Sequence, residues 1–95
     1  MKHYVLLKLA PGADAEKVEE KLFKAYDKLD EELNWLNKPA VYRNCVSSGT
    51  NADIMVVINM DGADHMQEYL THPLHLKLEK AIAESVADIV TFDHY

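Results

Sequence analysis

Two runs in this chain are apolar on both faces, and that limits what can surround them. In a strand, successive side chains point to opposite sides of the sheet, so a face that meets water should read polar at every second position. Residues 3–9 (His-Tyr-Val-Leu-Leu-Lys-Leu) instead offer Val5, Leu7 and Leu9 on one side and Tyr4 and Leu6 on the other. The run from Asp53 to Met60 offers Ile54, Val56 and Ile58 on one parity, with Met55, Val57 and Met60 adding apolar bulk around the other. Soluble monomers rarely leave such patches open, so a sheet built from these strands needs cover on both sides.

The remaining elements can cover only one of them. Pro11-Gly12 stops the first run in a turn, and Asp14 can cap the next element with Glu16 in its first turn. Val18, Leu22, Ala25, Tyr26, Leu29, Leu33 and Leu36 then recur at three- and four-residue steps, marking one long amphipathic helix that Lys38-Pro39 ends. Ala40 to Val46 reads as a strand, Ser47 to Ala52 as a hairpin loop, and 53–60 as the most strand-like run. A helix over Ala63 to Leu70, another from Pro73 to about Ala87 and a last strand over Ile89 to Tyr95 complete the chain. The order β-α-β-β-α-α-β predicts an α+β fold: one domain over 1–95, a four-stranded antiparallel sheet with helices on one face. The bare face would then pack on a second copy, giving a homodimer.

Composition removes several classes of partner. A formal charge of -6 opposes nucleic acid and anionic membranes, both of which call for a basic surface. Lys8 interrupts the first apolar run after four residues, too soon for the core of a signal peptide, and no segment approaches the length of a membrane span. The single cysteine, Cys45, has no partner within the chain and reads as a buried, unreactive strand thiol, which favours a reducing, cytoplasmic setting.

The chemistry concentrates at Tyr69-Leu70-Thr71-His72-Pro73-Leu74-His75. Pro73 stops one helix and suits the first turn of the next, which sets His72 at the N-cap and His75 in the opening turn. Unpaired N–H groups and the positive end of the helix dipole disfavour an imidazolium there, leaving a histidine able to accept a proton. His75 is therefore the candidate general base and Tyr69 the candidate hydrogen-bond donor to a developing oxyanion. His3 shares the parity of Val5 and Leu7, a core histidine or a polar group in a pocket. His72, Tyr26 and Trp35 are the further candidates for a ligand pocket, although aromatic residues on such an element also serve plain packing. His72 and His75 have the spacing of paired metal ligands, but no cysteine or convergent carboxylate completes a set, so no metal and no cofactor are expected. His65 reads as a solvated helix residue.

His3-x-Val5-x-Leu7-Lys8, Tyr69-x-x-His72-Pro73-x-His75 and Val90-x-Phe92-Asp93-x-Tyr95 together resemble the stress-responsive A/B-barrel (Dabb) family. Pro11-Gly12 and Asp53 fit the same pattern, and the likeness spans the whole chain. It implies a ferredoxin-like subunit that pairs with a second copy into a dimeric α+β barrel. Members of the family are functionally diverse: one plant member is a polyketide cyclase performing an intramolecular aldol condensation, and others are stress-protective proteins. The cyclase's histidine on strand one, tyrosine in the crossover and histidine at the helix start fall on His3, Tyr69 and His75. A further pocket histidine early in strand three has no counterpart, since Asp53-Ile54 stand there.

The expected function is binding of a small apolar, aromatic or keto ligand between sheet and helices, with cofactor-free acid/base chemistry of the cyclase or isomerase kind. Two alternatives are a non-catalytic, stress-responsive structural dimer and a cofactor-free monooxygenase-like protein.

Overall fold

Each element follows from a local cause, and the computed structural model describes them over Met1–Tyr95. Strand β1 (Lys2–Leu9) leads to helix α1 (Ala15–Glu32), strand β2 (Leu36–Arg43), strand β3 (Ile54–Met60), helices α2 (Met66–Thr71) and α3 (Pro73–Ile82), and strand β4 (Val86–His94). Single 3-10 turns precede α2 at Ala63–His65 and follow α3 at Ala83–Ser85. The four strands form one antiparallel sheet in the order β2-β3-β1-β4. Asp14 caps α1, its carboxylate accepting from the Glu16 and Lys17 backbone N–H groups at 3.1 and 3.2 Å.

The helices lie over one face. Leu7, Ile54, Val56, Ile58 and Met60 from the sheet meet Val18, Leu22, Tyr26 and Leu29 of α1 and Leu78 and Ile82 of α3 in one core. Met60 belongs to the inner parity with Ile54, not to the outer one where its bulk was expected. β4 lies beyond the helical cover, and all of it after Val86 is exposed. Its inner-facing Ile89, Thr91 and Asp93 stand beside Leu7, Val5 and His3.

Three boundaries differ from the sequence reading. α1 stops at Glu32 rather than running on toward Leu36. Leu33 and Leu36 are buried as their spacing demands, but through a tight turn in which the Leu36 N–H donates to the Leu33 carbonyl at 3.2 Å. β2 then starts at Leu36 and is broken by an irregularity between Asn37 and Ala40, where Lys38 takes a φ of 49°. Pro39, with no N–H to give, is tolerated at such a bulge. The bulge flips the parity, so Leu36 and Val41 both face inward, opposite Met60 and Val56. β2 ends at Arg43, opposite Ile54 where β3 begins, and Cys45 is neither in a strand nor buried: it is exposed in the loop before β3. Likewise α3 ends at Ile82, because Val86 is already drawn into pairing with Leu9.

The outer face carries two cross-strand rows. Tyr42, Met55, Leu6 and Val90 form one; Ala40, Val57, Tyr4 and Phe92 form the other. Tyr42, Val90 and Phe92 are 56%, 55% and 61% exposed. Lys2, Asn59 and His94 border the rows at one end and Lys8 and Asp88 at the other. The subunit's own helices leave this apolar face bare.

Candidate functional site

The break between α2 and α3 is built by a histidine. His72 takes an extended φ, ψ of -62° and 136°, and its Nδ1 accepts the Leu74 N–H at 3.1 Å, capping α3 with Pro73 behind it. A ring that accepts at Nδ1 holds its proton at Nε2, which lies 3.4 Å from a Glu32 carboxylate oxygen. The His72 N–H donates to the Tyr69 carbonyl at 3.2 Å. This reversal folds His75 back over Tyr69, with ring centroids 4.5 Å apart and a tilt of 55°.

Tyr69 shows no exposed surface, and its hydroxyl lies 2.6 Å from that of Tyr26 on α1. Burial raises both phenols above the ordinary range, Tyr26 to about 12, so each stays protonated. On the other side of Tyr69, His3 stands edge-on at 5.5 Å and 71°. His3 is 4% exposed, and β1 pairing brings it opposite Asp93, whose carboxylate lies 2.5 Å from Nδ1.

The two imidazoles are held alike. Nδ1 of His75 lies 3.2 Å from the Leu70 carbonyl and 3.2 Å from a Glu79 carboxylate oxygen. Both neighbours accept, as does Asp93 beside His3, so Nδ1 of each ring carries a proton, and in a neutral ring the lone pair then lies at Nε2. No buried side-chain nitrogen or oxygen lacks a hydrogen-bond partner. The Nε2 atoms of His3 and His75 bond to nothing in the chain, so both must open on accessible space. Both residues line a cavity of about 320 Å³ between sheet and helices, together with Tyr26, Tyr69, Asp93, Glu79 and mostly apolar residues. Burial lowers the His75 pKa from its usual 6.5; the Glu79 carboxylate opposes the shift without overcoming it.

Of the residues singled out in the sequence, His3, Tyr26, Tyr69 and His75 meet in this cavity. His72 and Trp35 do not line it. Trp35 packs at one end of the core, its ring stacked on His65 at 4.5 Å and 8°. His65 is consequently half-buried rather than solvated, because the indole face covers one side of it. Where a cyclase-like histidine is missing, the Asp53 carboxylate accepts the Leu9 N–H at 2.7 Å, and Ile54 is core. Asp93 and Glu79 are site residues that reading the sequence missed. The i, i+4 step from His75 to Glu79 and the antiparallel meeting of first and last strands were the available signals. No group of three or more histidine, cysteine or acidic side chains is placed to hold a metal ion.

The family model of the stress-responsive A/B barrel domain matches residues 1–95. The chain belongs to that family. Among solved structures, this A/B barrel domain is similar to a dimeric protein of unknown function and ferredoxin-like fold from Bacteroides fragilis. They share 27% identity over 98% of this chain and 92% of that one, with a TM-score of 0.82. A dimeric ferredoxin-like protein of unknown function from Thermobifida fusca is also 27% identical, over 96% and 85%, with a TM-score of 0.78. Hydroxynitrile lyase from Passiflora edulis shares the fold at 10% identity, over 98% and 89%, with a TM-score of 0.76. No curated protein matches the chain. No helix of this A/B barrel domain is long and apolar enough to cross a membrane.

The lowered His75 pKa has a sign that can be measured. Between its folded pKa and 6.5 the unfolded chain binds the proton more readily than the folded one, so this contribution is complete above 6.5 and lost as pH falls. Thermal unfolding from pH 7.5 down to pH 5 should therefore show the parent protein losing stability faster than His75→Asn. Parallel curves would contradict the assignment.

Proposed function

We propose that this A/B barrel domain forms a homodimer through the outer face of its sheet and uses the inner cavity for cofactor-free proton transfer on a small, largely apolar ligand. The two apolar rows across all four strands support the first part, since water is the only other cover for them. Two solved relatives at 27% identity are described as dimeric. Two sheets stacked on these faces enclose a shared apolar core, the centre of a dimeric α+β barrel. Light scattering should give about twice the 10.8 kDa mass of one chain. Phe92→Lys, which sets a charge in the middle of one row, should shift the protein toward monomer; dimers that persist unchanged would place the interface elsewhere.

The chemistry rests on one observation: two imidazoles open on the same cavity, each with Nδ1 held by a carboxylate and Nε2 free. His75, kept neutral by its surroundings, is suited to take a proton from a carbon next to a carbonyl or from a hydroxyl. The proton that His75 takes sits on its Nε2 and returns to the ligand from that same atom, while His3 faces the same space with Asp93 behind it. Asp93 fixes the His3 tautomer and balances the charge that the ring acquires when it is protonated. The Tyr69 hydroxyl is already engaged with that of Tyr26 rather than free to donate to a ligand. Tyr69 serves instead as the spacer that sets both rings, itself fixed by Tyr26. The mostly apolar lining selects an aromatic or alkyl body with a single polar head.

Condensation, isomerisation and cyanohydrin cleavage all begin with such a proton transfer. The last is the reaction named by the Passiflora edulis neighbour. A substrate-neutral assay is exchange of the protons next to the carbonyl of small aryl ketones in heavy water, followed by NMR, with mandelonitrile cleavage run beside it. His3→Ala and His75→Ala should each slow the reaction by about a hundredfold, whereas Trp35→Phe should not. Exchange that persists in the double variant contradicts the catalytic roles. No exchange and no ligand-induced shifts at cavity residues with any compound contradicts the reading as a whole.

A further inference from the structure

A second concave site lies on the far side of the helices, and its chemistry is opposite to that of the chain. On α1, Lys17, Lys21, Lys24 and Lys28 recur at steps of four, three and four, which sets them along one edge of the helix. Glu20, Asp27 and Glu31 stand three or four residues from these lysines, yet none of them forms an ion pair with one. Lys21, Lys24 and Lys28 reach the seam with α3, where Lys77 meets them, and all four line a groove of about 220 Å³. Ala25 and Ala81 lie within it, their single methyl groups leaving the seam its depth.

No acidic residue lines this groove. The one lysine paired with a carboxylate anywhere in the chain is Lys8, 4.0 Å from Asp53. Lys21 instead donates to the Ala81 carbonyl at 3.2 Å, which holds its ammonium across the seam. So four of the chain's ten Lys and Arg side chains share one groove, in a protein that carries sixteen acidic residues with which they could have been paired. Gathered like charges repel, and a bound counter-anion relieves that repulsion.

We infer that the α1–α3 groove is a binding site for a small organic polyanion, whose acidic groups meet Lys21, Lys24, Lys28 and Lys77 while a short apolar body rests on Ala25 and Ala81. Lysine ammoniums act as flexible point charges and take carboxylate or phosphate alike, so the ligand class is defined by multiple negative charge on a compact frame. The groove is separate from the histidine cavity and independent of the reaction proposed there; Leu78 stands in the wall of both.

Calorimetric titration with benzene-1,3,5-tricarboxylate and, separately, with phenyl phosphate distinguishes carboxylate from phosphate ligands. At least one should bind at a ratio of one per chain, weakening severalfold as salt rises from about 0.05 to about 0.3 M. Lys24→Gln with Lys77→Gln should weaken binding about tenfold. Lys17→Gln with Lys80→Gln, the same loss of charge on the same two helices but outside the groove, should change it by less than about threefold. Because all four positions are exposed, folding of both variants can be verified from unchanged thermal transitions. Failure of both anions to bind at the lower salt, or equal weakening by the two double variants, overturns the inference.

Discussion

The contact between His3 and the Asp93 carboxylate ties the second residue of the first strand to the last strand, ninety positions along the chain. It exists because β4 runs antiparallel beside β1 in a register that sets residues 3 and 93 opposite one another. A shift of one residue would turn Asp93 to the outer face and leave His3 without its carboxylate. That register also carries Ile89 and Thr91 along the rim of the cavity, beyond the reach of the helices. The geometry of the site is thus a consequence of sheet pairing, with the helices supplying the second imidazole through the break at His72-Pro73. Both structural devices hold an imidazole by its Nδ1, one with a strand neighbour and the other with Leu70 and Glu79 one turn to either side.

How far the sequence revealed this depended on the range of each interaction. The break at Pro73 was legible because its causes are local: proline's missing N–H, the capping nitrogen of His72 and the helical patterns on either side. The strands were legible from parity, and their two-sided apolarity already pointed to a face without internal cover. Leu36 was misplaced because a tight turn buries residues three apart just as a helix does, so periodicity could not tell the two apart. Cys45 was misplaced because β2 pairs only as far as Arg43, opposite Ile54 where β3 begins, so the strand has ended before residue 45. Asp93 was quoted within a motif but given no role, since its partner lies at the opposite end of the sequence and only the register unites them. His65 was read from its polar neighbours, which say nothing of the indole that stacks on it from the start of β2.

Membership of the A/B barrel family fixes the frame but leaves the chemistry to the residues. Relatives of this fold include proteins of unknown function and a hydroxynitrile lyase, and one fold commonly hosts many activities. In this chain the two faces of the sheet differ sharply in character. The outer face is apolar in two continuous rows and suits association, whereas the inner one carries two imidazoles, each beside a carboxylate, on the wall of an open cavity. Burial that keeps Tyr26 and Tyr69 protonated also makes their short hydroxyl contact a rigid prop for the rings on either side.

The central claim is that both imidazoles keep the proton on Nδ1 and offer a lone pair at Nε2. Nitrogen-15 NMR of imidazole-labelled protein at pH 7.5 reads this directly, because protonated and bare ring nitrogens resonate far apart. His3 and His75 should each show a protonated Nδ1 and an unprotonated Nε2. A proton on Nε2 with a bare Nδ1 in either ring would mean that its carboxylate does not set the tautomer, and the cavity would lose the acceptor on which its chemistry rests.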